Sequence, residues 1–316
     1  MISVIITNYN GLSILKDCLD ETYQTLKQAG ISDIILADDA SSDASVSYVQ
    51  ARFPDIIISR RNQNGGFSAN CNTGASHAKA PLLLFLNNDM IVKKFDLKIA
   101  VSRFESPTLF ATSASSQRHT PTGLIDETPS YGYFKAGYLT TRNGQRACDA
   151  PKNPVPILWG CGGALLVRKA YFEALNGFYT GFFIGYSEDL DLCYRAWKQG
   201  LITQYEPAIQ CYHQHQSTFG VLFSNTQRDH LARTNAYIMT WRNLTDWSYI
   251  ITHSLALVLR FLTLQLPHIR AILKASTRLP AILNFRKSVS PGLCDKAVLQ
   301  RARPDYQATL TLCKLH

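Results

Sequence analysis

Ile2-Ser-Val-Ile-Ile-Thr-Asn-Tyr-Asn-Gly11 begins as an unbroken strand-like run and then turns, within two positions, to amides and a glycine. A near-continuous apolar run of this length is a strand buried on both faces, and its polar end marks where the chain leaves the sheet. The same pattern recurs in Asp33-Ile-Ile-Leu-Ala37, Asp55-Ile-Ile-Ile-Ser59 and Pro81-Leu-Leu-Leu-Phe-Leu86. Residues 13–29, 43–53 and 67–79 between them read as helices. Strands alternating with helices predict an α/β chain with a parallel sheet covered on both faces. Right-handed crossovers then bring every strand's C-terminal end to one edge. Open α/β sheets bind their ligands there.

Outward from that core, the composition sets bounds. The 316 residues are 46% hydrophobic and 17% charged, which excludes a disordered chain, a coiled coil and a collagen-like fibre. The charge-free stretch Trp247 to Leu259 closes at Arg260, short of the roughly 20 apolar residues that span a bilayer. Strand-like residues start at Ile2, so no cleaved signal peptide is expected. A cytoplasmic protein follows, peripheral on the cytoplasmic face of the inner membrane if the tail binds lipid. The eight cysteines contain no C-x-x-C pair, which points to reduced, buried thiols rather than a zinc knuckle or disulfide framework.

Polar residues gather where the strands end. The loops are Thr7-Asn8-Tyr9-Asn10-Gly11, Asp38-Asp39-Ala40-Ser41-Ser42-Asp43, Arg60-Arg61-Asn62-Gln63-Asn64-Gly65-Gly66-Phe67 and Asn87-Asn88-Asp89. Each alone reads equally well as a turn or helix cap; four on one rim make a polar ligand site. No G-x-G-x-x-G follows the first strand and no G-x-x-x-x-G-K-[ST] is present, which disfavours dehydrogenases and P-loop enzymes. Carboxylates after the second strand suit a base or ribose. The oxygen donors of Asn-Asn-Asp suit Mg²⁺ or Mn²⁺.

Together with Trp159-Gly-Cys-Gly-Gly-Ala-Leu-Leu-Val-Arg168, Gly177-Phe178, Tyr186-Ser-Glu-Asp-Leu-Asp-Leu-Cys-Tyr-Arg195 and Tyr212-His-Gln-His-Gln-Ser217, these loops form an ordered series over about residues 1–240. The series resembles glycosyltransferase family 2, in its rhamnosyltransferase-like branch. The resemblance implies a GT-A fold, that is, a Rossmann-like mixed sheet flanked by helices. It also implies a nucleotide-diphosphate sugar donor, a divalent metal and inversion at the anomeric carbon. By position, Asp189 is the base with Glu188 beside it, and Asp89 and His213 are metal ligands, with His215 the rival to His213. Thr7, Asn8, Asp38, Asp39, Asn64, Gly66, Asn72 and Asn88 fall to the nucleotide, and Trp159, Gly162 and Gly163 to the sugar and acceptor cleft. Asn87 and Asn88 stand where the family's metal tip carries further acids. On spacing alone, Glu188, Asp189 and Asp191 equally complement a helix N-terminus, and Arg195 pairs with Asp191 on a helix surface.

The resemblance fades beyond Thr226, so the chain divides into a catalytic domain at 1–225 and a basic, leucine-rich helical region at 226–316. Residues 1–224 hold equal numbers of acids and bases, and the whole +9 falls on residues 225–316. Arg270, Lys274 and Arg278 recur every four residues between Pro267 and Pro280, with Ile269, Ile272, Leu273 and Ser276 on the other side. A basic, greasy tail fits an anionic membrane surface; a packed helical subdomain or a homodimer contact is the alternative. Nucleic acid is not expected as a partner, because the tail's aromatics precede the basic stripe instead of interleaving with it. A non-catalytic module of the same fold is disfavoured by the retained acids. The expected activity is transfer of a sugar, rhamnose from dTDP-rhamnose or a UDP-sugar, to a glycan or polyprenyl-diphosphate-linked acceptor. Galactofuranose, N-acetylglucosamine and glucose are the alternative sugars.

Overall fold

A computed structural model describes residues 1–183, 185–214, 223–289 and 292–303. The four apolar runs form β1 (Ile2–Asn8), β2 (Asp33–Asp38), β3 (Ile57–Arg60) and β4 (Leu82–Asn87). They lie side by side as β3-β2-β1-β4, all parallel. Helices α1 (Leu12–Gln28), α2 (Ser45–Arg52) and α3 (Gly66–His77) join them. Alternate residues of β1 serve opposite faces: Val4 and Ile6 pack with Leu15, Leu19 and Leu36, while Ile5 packs with Ile35, Cys71 and Phe85. Burial on both faces explains why these strands are apolar without alternation. Gly74 lets α3 sit close to the sheet, since a Cβ there would lie 2.6 Å from Ile5 and 2.9 Å from Ala37.

Past β4 the sheet becomes mixed. The chain continues through β5 (Met90–Phe95), α4 (Leu97–Ser102), β6 (Leu109–Thr120), β7 (Gly123–Lys135), β8 (Tyr138–Arg146), β9 (Val155–Pro156), β10 (Ala164–Arg168), α5 (Lys169–Ala174), α6 (Glu188–Lys198) and β11 (Ile202–His213). The order after β4 is β10-β6-β11-β5. β10 runs antiparallel to β4 and β6, and β11 runs parallel to β6 but antiparallel to β5. The uniformly parallel sheet expected from the first four strands therefore holds only for that half. The long β7–β8 hairpin extends from β6.

The C-terminal residues form α7 (Asn225–Asn243), α8 (Trp247–Leu262), α9 (Leu266–Ser276), α10 (Leu279–Ser288) and α11 (Asp295–Arg301). Pro267 and Pro280 sit in the first turns of α9 and α10, where a missing N–H costs nothing. Asp295 ties α11 to the body, accepting from Tyr194 Oη, Thr245 N and Asp246 N at 2.7 Å and pairing with Lys198 Nζ at 2.6 Å. α8 is turned the unexpected way round. His253 and Arg260 are buried against the β7–β8 turn, bonding Gly137 O and Ala136 O. Its apolar stripe, Trp247, Ile251, Leu255, Leu259 and Leu262, faces outward, with Trp247 77% exposed. Of the residues opposite the basic stripe on α9, Ile272 is buried with Ala271 and Ala275, while Leu273 is 59% exposed. Among the described residues no helix is long and apolar enough to cross a membrane.

Candidate active site

The rim at the ends of β1 and β2 is held by its own side chains. Asp38 is fully buried. It accepts from Asn8 Nδ2 at 2.9 Å, Ser41 N at 3.0 Å and Ser41 Oγ at 2.5 Å, and Arg60 Nε lies 3.4 Å away. The carboxylate is held by its own loop, as a buried charge requires pairing. Asp39 is also buried, accepting from the Gly65 and Gly66 amides at 2.9 and 2.7 Å, with Arg61 Nε at 3.0 Å. It fastens the second strand's loop to the start of α3, where Gly66 takes φ +78°. Asn64 is exposed on that loop and accepts from Gly66 N at 3.2 Å. Thr7 Oγ1 donates to Asn87 Oδ1 at 3.3 Å, and Asn88 Nδ2 donates to Asn8 Oδ1 at 3.1 Å. Asn72 reaches the other way along α3. Its amide donates to Phe178 O at 2.8 Å and accepts from Phe178 N at 2.9 Å, so it anchors the Gly177-Phe178 turn.

Where β4, β5 and β11 meet, Asp89 Oδ2 lies 3.2 Å from His213 Nε2, and His213 Nδ1 lies 2.9 Å from Glu127 Oε2 on β7. Arg118 Nε donates to the other Glu127 oxygen at 2.5 Å. Burial pulls the His213 pKa down, but the hydrogen bonds and charges of Asp89 and Glu127 outweigh it and raise it to about 9. Asp89 Oδ1 is buried with no hydrogen-bond partner among the described residues, an oxygen that a cation would satisfy. Among the described residues no group of three or more His, Cys, Asp or Glu is placed to hold a metal. The chain thus offers a carboxylate and an imidazole, and a bound ion would complete its shell from its substrate and water, as Mg²⁺ commonly does. His215 lies outside the described residues.

Across the sheet edge, Glu188 and Asp189 open α6, whose dipole favours acids in its first turn. Asp189 Oδ2 accepts from Gly162 N at 3.3 Å and Oδ1 from Leu190 N at 2.7 Å. Burial raises the Asp189 pKa more than these amides lower it. Glu188 is raised by burial and then by the charge of Asp189. The preceding backbone is strained: Tyr186 and Ser187 take φ +70° and +76°, at roughly 1–3 kcal/mol each for non-glycine residues. A residue that the sequence did not point to offsets that cost. Asn235 of α7, itself fully buried, donates to Phe183 O, Gly185 O and Tyr186 O at 2.7, 2.6 and 3.0 Å and accepts from Phe183 N at 3.0 Å.

Asp191, one turn along, is buried between Arg195 Nε at 2.7 Å, Arg242 Nε at 3.1 Å and Asn243 Nδ2 at 2.7 Å. Arg195 also donates to Leu175 O and Gly177 O. The surface pair expected of Arg195 and Asp191 is thus a buried brace between α6 and α7.

Glu188, Asp189, Trp159, Gly162, Gly163, Phe67 and Asn87 line one cleft of about 630 Å³. A Cβ on Gly163 would lie 2.7 Å from Asn87 Nδ2, closer than side chains pack, while one on Gly162 would lie 3.3 Å from Phe67, a tight contact. Cys161, in the same wall, has a thiol pushed up to about 12 by burial, then by Asp189, with further contributions from Glu127 and Asp89. The two acidic groups thus flank one segment. Leu139 and Thr141 of β8 and Ala232, Ala236 and Met239 of α7 complete the cleft. Neither group was foreseen, since β8 has no apolar periodicity and the α7 residues lie beyond the expected boundary at 225.

Polar loops at one sheet edge, facing two carboxylates of raised pKa across an open cleft, define a group-transferring α/β enzyme. Residues 3–168 match the family model for glycosyl transferase family 2, and the chain belongs to that family. It is 25% identical over 270 residues to the rhamnosyltransferase WbbL of Escherichia coli (strain K12), covering 79% of this chain and 97% of that one. It is 23% identical over 255 residues to polypeptide N-acetylgalactosaminyltransferase 4 of Caenorhabditis elegans, covering 72% and 42%.

Solved structures share the GT-A fold. GalNAc-T7 with UDP, GalNAc and Mn²⁺ gives a TM-score of 0.61 at 16% identity, over 77% of this chain and 48% of that one. S. aureus TarS 1-349 in complex with UDP-GlcNAc gives 0.55 at 12%, over 98% and 91%. PcManGT from Pyrobaculum calidifontis in complex with GDP-Man and Mn²⁺ gives 0.52 at 16%, over 100% and 80%. This chain spans about half the length of GalNAc-T7 (48%) and less than half of the worm enzyme (42%).

Proposed function

We propose that this glycosyltransferase moves a sugar, with inversion, from a nucleotide-diphosphate donor to a glycan or polyprenyl-diphosphate-linked acceptor. The observation that carries this reading is the single cleft lined by Glu188 and Asp189 together with Asn87 at the end of β4, two residues before Asp89, whose Oδ2 lies 3.2 Å from His213 Nε2. In the proposal Asp189, oriented by the Gly162 and Leu190 amides, takes the proton of the attacking hydroxyl; its raised pKa brings it closer to the basicity such a step needs. Glu188 keeps its proton beside the ionised Asp189 and offers an O–H donor to the cleft. Thr7, Asn8, Asp39, Asn64, Gly66 and Asn88 frame the nucleotide, while Trp159, Gly162 and Gly163 wall the transferred sugar. Asp89 and His213 are the residues that would hold Mg²⁺ or Mn²⁺, which when bound neutralises charge developing on the leaving diphosphate. The likeness to WbbL favours dTDP-rhamnose as donor. A thermal-shift panel of dTDP- and UDP-sugars with and without Mn²⁺ tests this, with the largest stabilisation expected from dTDP-rhamnose plus metal. No stabilisation by any nucleotide sugar would refute it.

The outward stripe of α8 beside the basic α9 and α10 supports a peripheral site on an anionic membrane, on the cytoplasmic face of the inner membrane. An exposed apolar patch of this size marks an interaction surface, and the charge of the region selects lipid of opposite sign. In flotation with phosphatidylglycerol vesicles the parent should rise, and a Trp247→Ser, Leu255→Ser, Leu262→Ser variant should stay down. A parent that stays down but forms a dimer in light scattering would assign the stripe to a second copy.

A further inference from the structure

The cleft that holds Glu188 and Asp189 does not end at α7. Ala232 and Ala236 are shared with a neighbouring cavity of about 310 Å³, also lined by Tyr138, Asp229, Arg233 and His268. Asp229 and Arg233 are shared in turn with a groove of about 820 Å³ that takes in His230, Arg270, Leu273 and Lys274. Positions 229, 232, 233 and 236 follow the spacing of one helical face, so a single side of α7 lines all three spaces. From Ala236 to Asp229 is about 10 Å along the helix axis.

The far end of this track is basic. Among the described residues, neither Arg233 nor Arg270 has a hydrogen bond or ion pair, and Lys274 lies over the Phe183 ring at 4.5 Å. Asp229 is the carboxylate among them, against three cations. Burial, then Lys274, Arg233 and Arg270, depress the His230 pKa, which places all three cations around one imidazole. The groove opens beside exposed Leu273.

We infer that the groove formed by Arg233, Arg270 and Lys274 is a binding subsite for the diphosphate of a prenyl-diphosphate-linked acceptor, whose glycan runs along α7 to the carboxylate cleft. This rests on the sugar-transfer reading only for the word acceptor; the subsite itself is a claim about binding. Three cations without carboxylate partners suit a polyanion that makes several charge-assisted bonds, and the open, leucine-flanked end leaves a path for the prenyl chain. The diphosphate sits away from the carboxylates, so an acceptor with a short glycan is favoured over a bare prenyl phosphate.

Titration calorimetry with farnesyl diphosphate in the presence of a chelator tests the subsite on the full chain. The parent should bind it, with farnesol and inorganic pyrophosphate binding more weakly. Arg233→Gln and Arg270→Gln should each weaken binding about tenfold or more, and Asp89→Asn should bind as the parent does. Unchanged affinity in both arginine variants, or loss in Asp89→Asn alone, overturns the inference by placing the diphosphate elsewhere. So does a loss of phosphatidylglycerol vesicle binding in the arginine variants with farnesyl diphosphate affinity intact. Binding of UDP with Mn²⁺, measured on the parent and the two arginine variants, reports folding in those variants, and the far-ultraviolet circular dichroism of Asp89→Asn reports its folding. Absence of UDP binding from the parent would count against the sugar-transfer reading while leaving the farnesyl diphosphate result to stand by itself.

Discussion

Two acidic corners of this molecule are built differently. The Asp89–His213–Glu127 corner is held by its neighbours in the sheet: His213 faces Met90, next to Asp89, across β11 and β5, and Asp126, next to Glu127, faces Gln117 across β7 and β6. The Glu188–Asp189 corner stands on a strained turn, and its geometry depends on Asn235, which is far along the chain. A corner set by the sheet tolerates loss of a neighbour; a corner set by one clamp does not. In the proposed reaction, the carboxylate that meets the attacking hydroxyl is on the clamped side.

The comparison can be broken most directly at the base. Asp189→Asn should lower kcat by about 10²–10⁴-fold, the usual range for a positioned acid or base, while donor binding by calorimetry stays the same. Activity near the parent level would remove Asp189 from the role.

Asn235→Ala comes next. It leaves three carbonyls and one N–H without their partner at roughly 1–3 kcal/mol for each group that water does not reach, and releases the strain at Tyr186 and Ser187. Misplacement of the carboxylates should cost on the order of 100-fold in kcat, with a lowered Tm but donor affinity retained. A kcat that holds while Tm falls would reduce Asn235 to a stabilising residue.

On the sheet-built side the effect should be smaller. Glu127→Gln leaves Asp89 and His213 in place and removes only the charge behind the imidazole, so Mn²⁺ affinity should fall roughly 10–100-fold, as for other partners of a ligating histidine. Full affinity in that variant would break the assignment of His213.

The smallest expected effect is a displacement in pH. Burial raises the Asp189 carboxyl, and the base works ionised, so kcat/KM should rise with pH through a limb above the ordinary aspartate value of about 3.9. Because the Glu188 carboxyl is raised by burial and then by the charge of Asp189, Asp189→Asn should shift its titration downward, observable by carboxyl carbon NMR. A limb at the ordinary value, or a Glu188 titration unmoved by the substitution, would deny the coupling between the two acids.

Residues 2–87 were legible because burial on both faces forces apolar runs, whereas β5 and α4 after them were not foreseen. The element ends read over residues 2–87 fall within two residues of those observed, as for the helix expected at 13–29 and found at Leu12–Gln28. The hairpin of β7 and β8 was not legible. Its Thr, Arg and Tyr residues are held by pairing with β6 and by packing under α8, and pairing with a distant strand leaves no local period. Arg195 was misjudged for the same reason: a four-residue spacing from Asp191 describes a helix face, but only the arrival of Arg242 and Asn243 from α7 makes that face an interior.

By itself the sequence determined the alternation of strand and helix, the polar rim at the strand ends, the ordered family motifs and the separation of charge between body and tail. All of these are local, because hydrophobic period, turn chemistry and charge are properties of neighbouring residues. Tertiary structure alone decided which partners Asp38 and Asn72 bond within the chain, that Glu127 stands behind His213, and that the helix starting at residue 225 holds the Tyr186-Ser187 turn and walls the cleft. Those outcomes depend on which buried polar groups find partners across long stretches of chain, and low-dielectric burial makes such pairing obligatory while leaving no mark on sequence spacing.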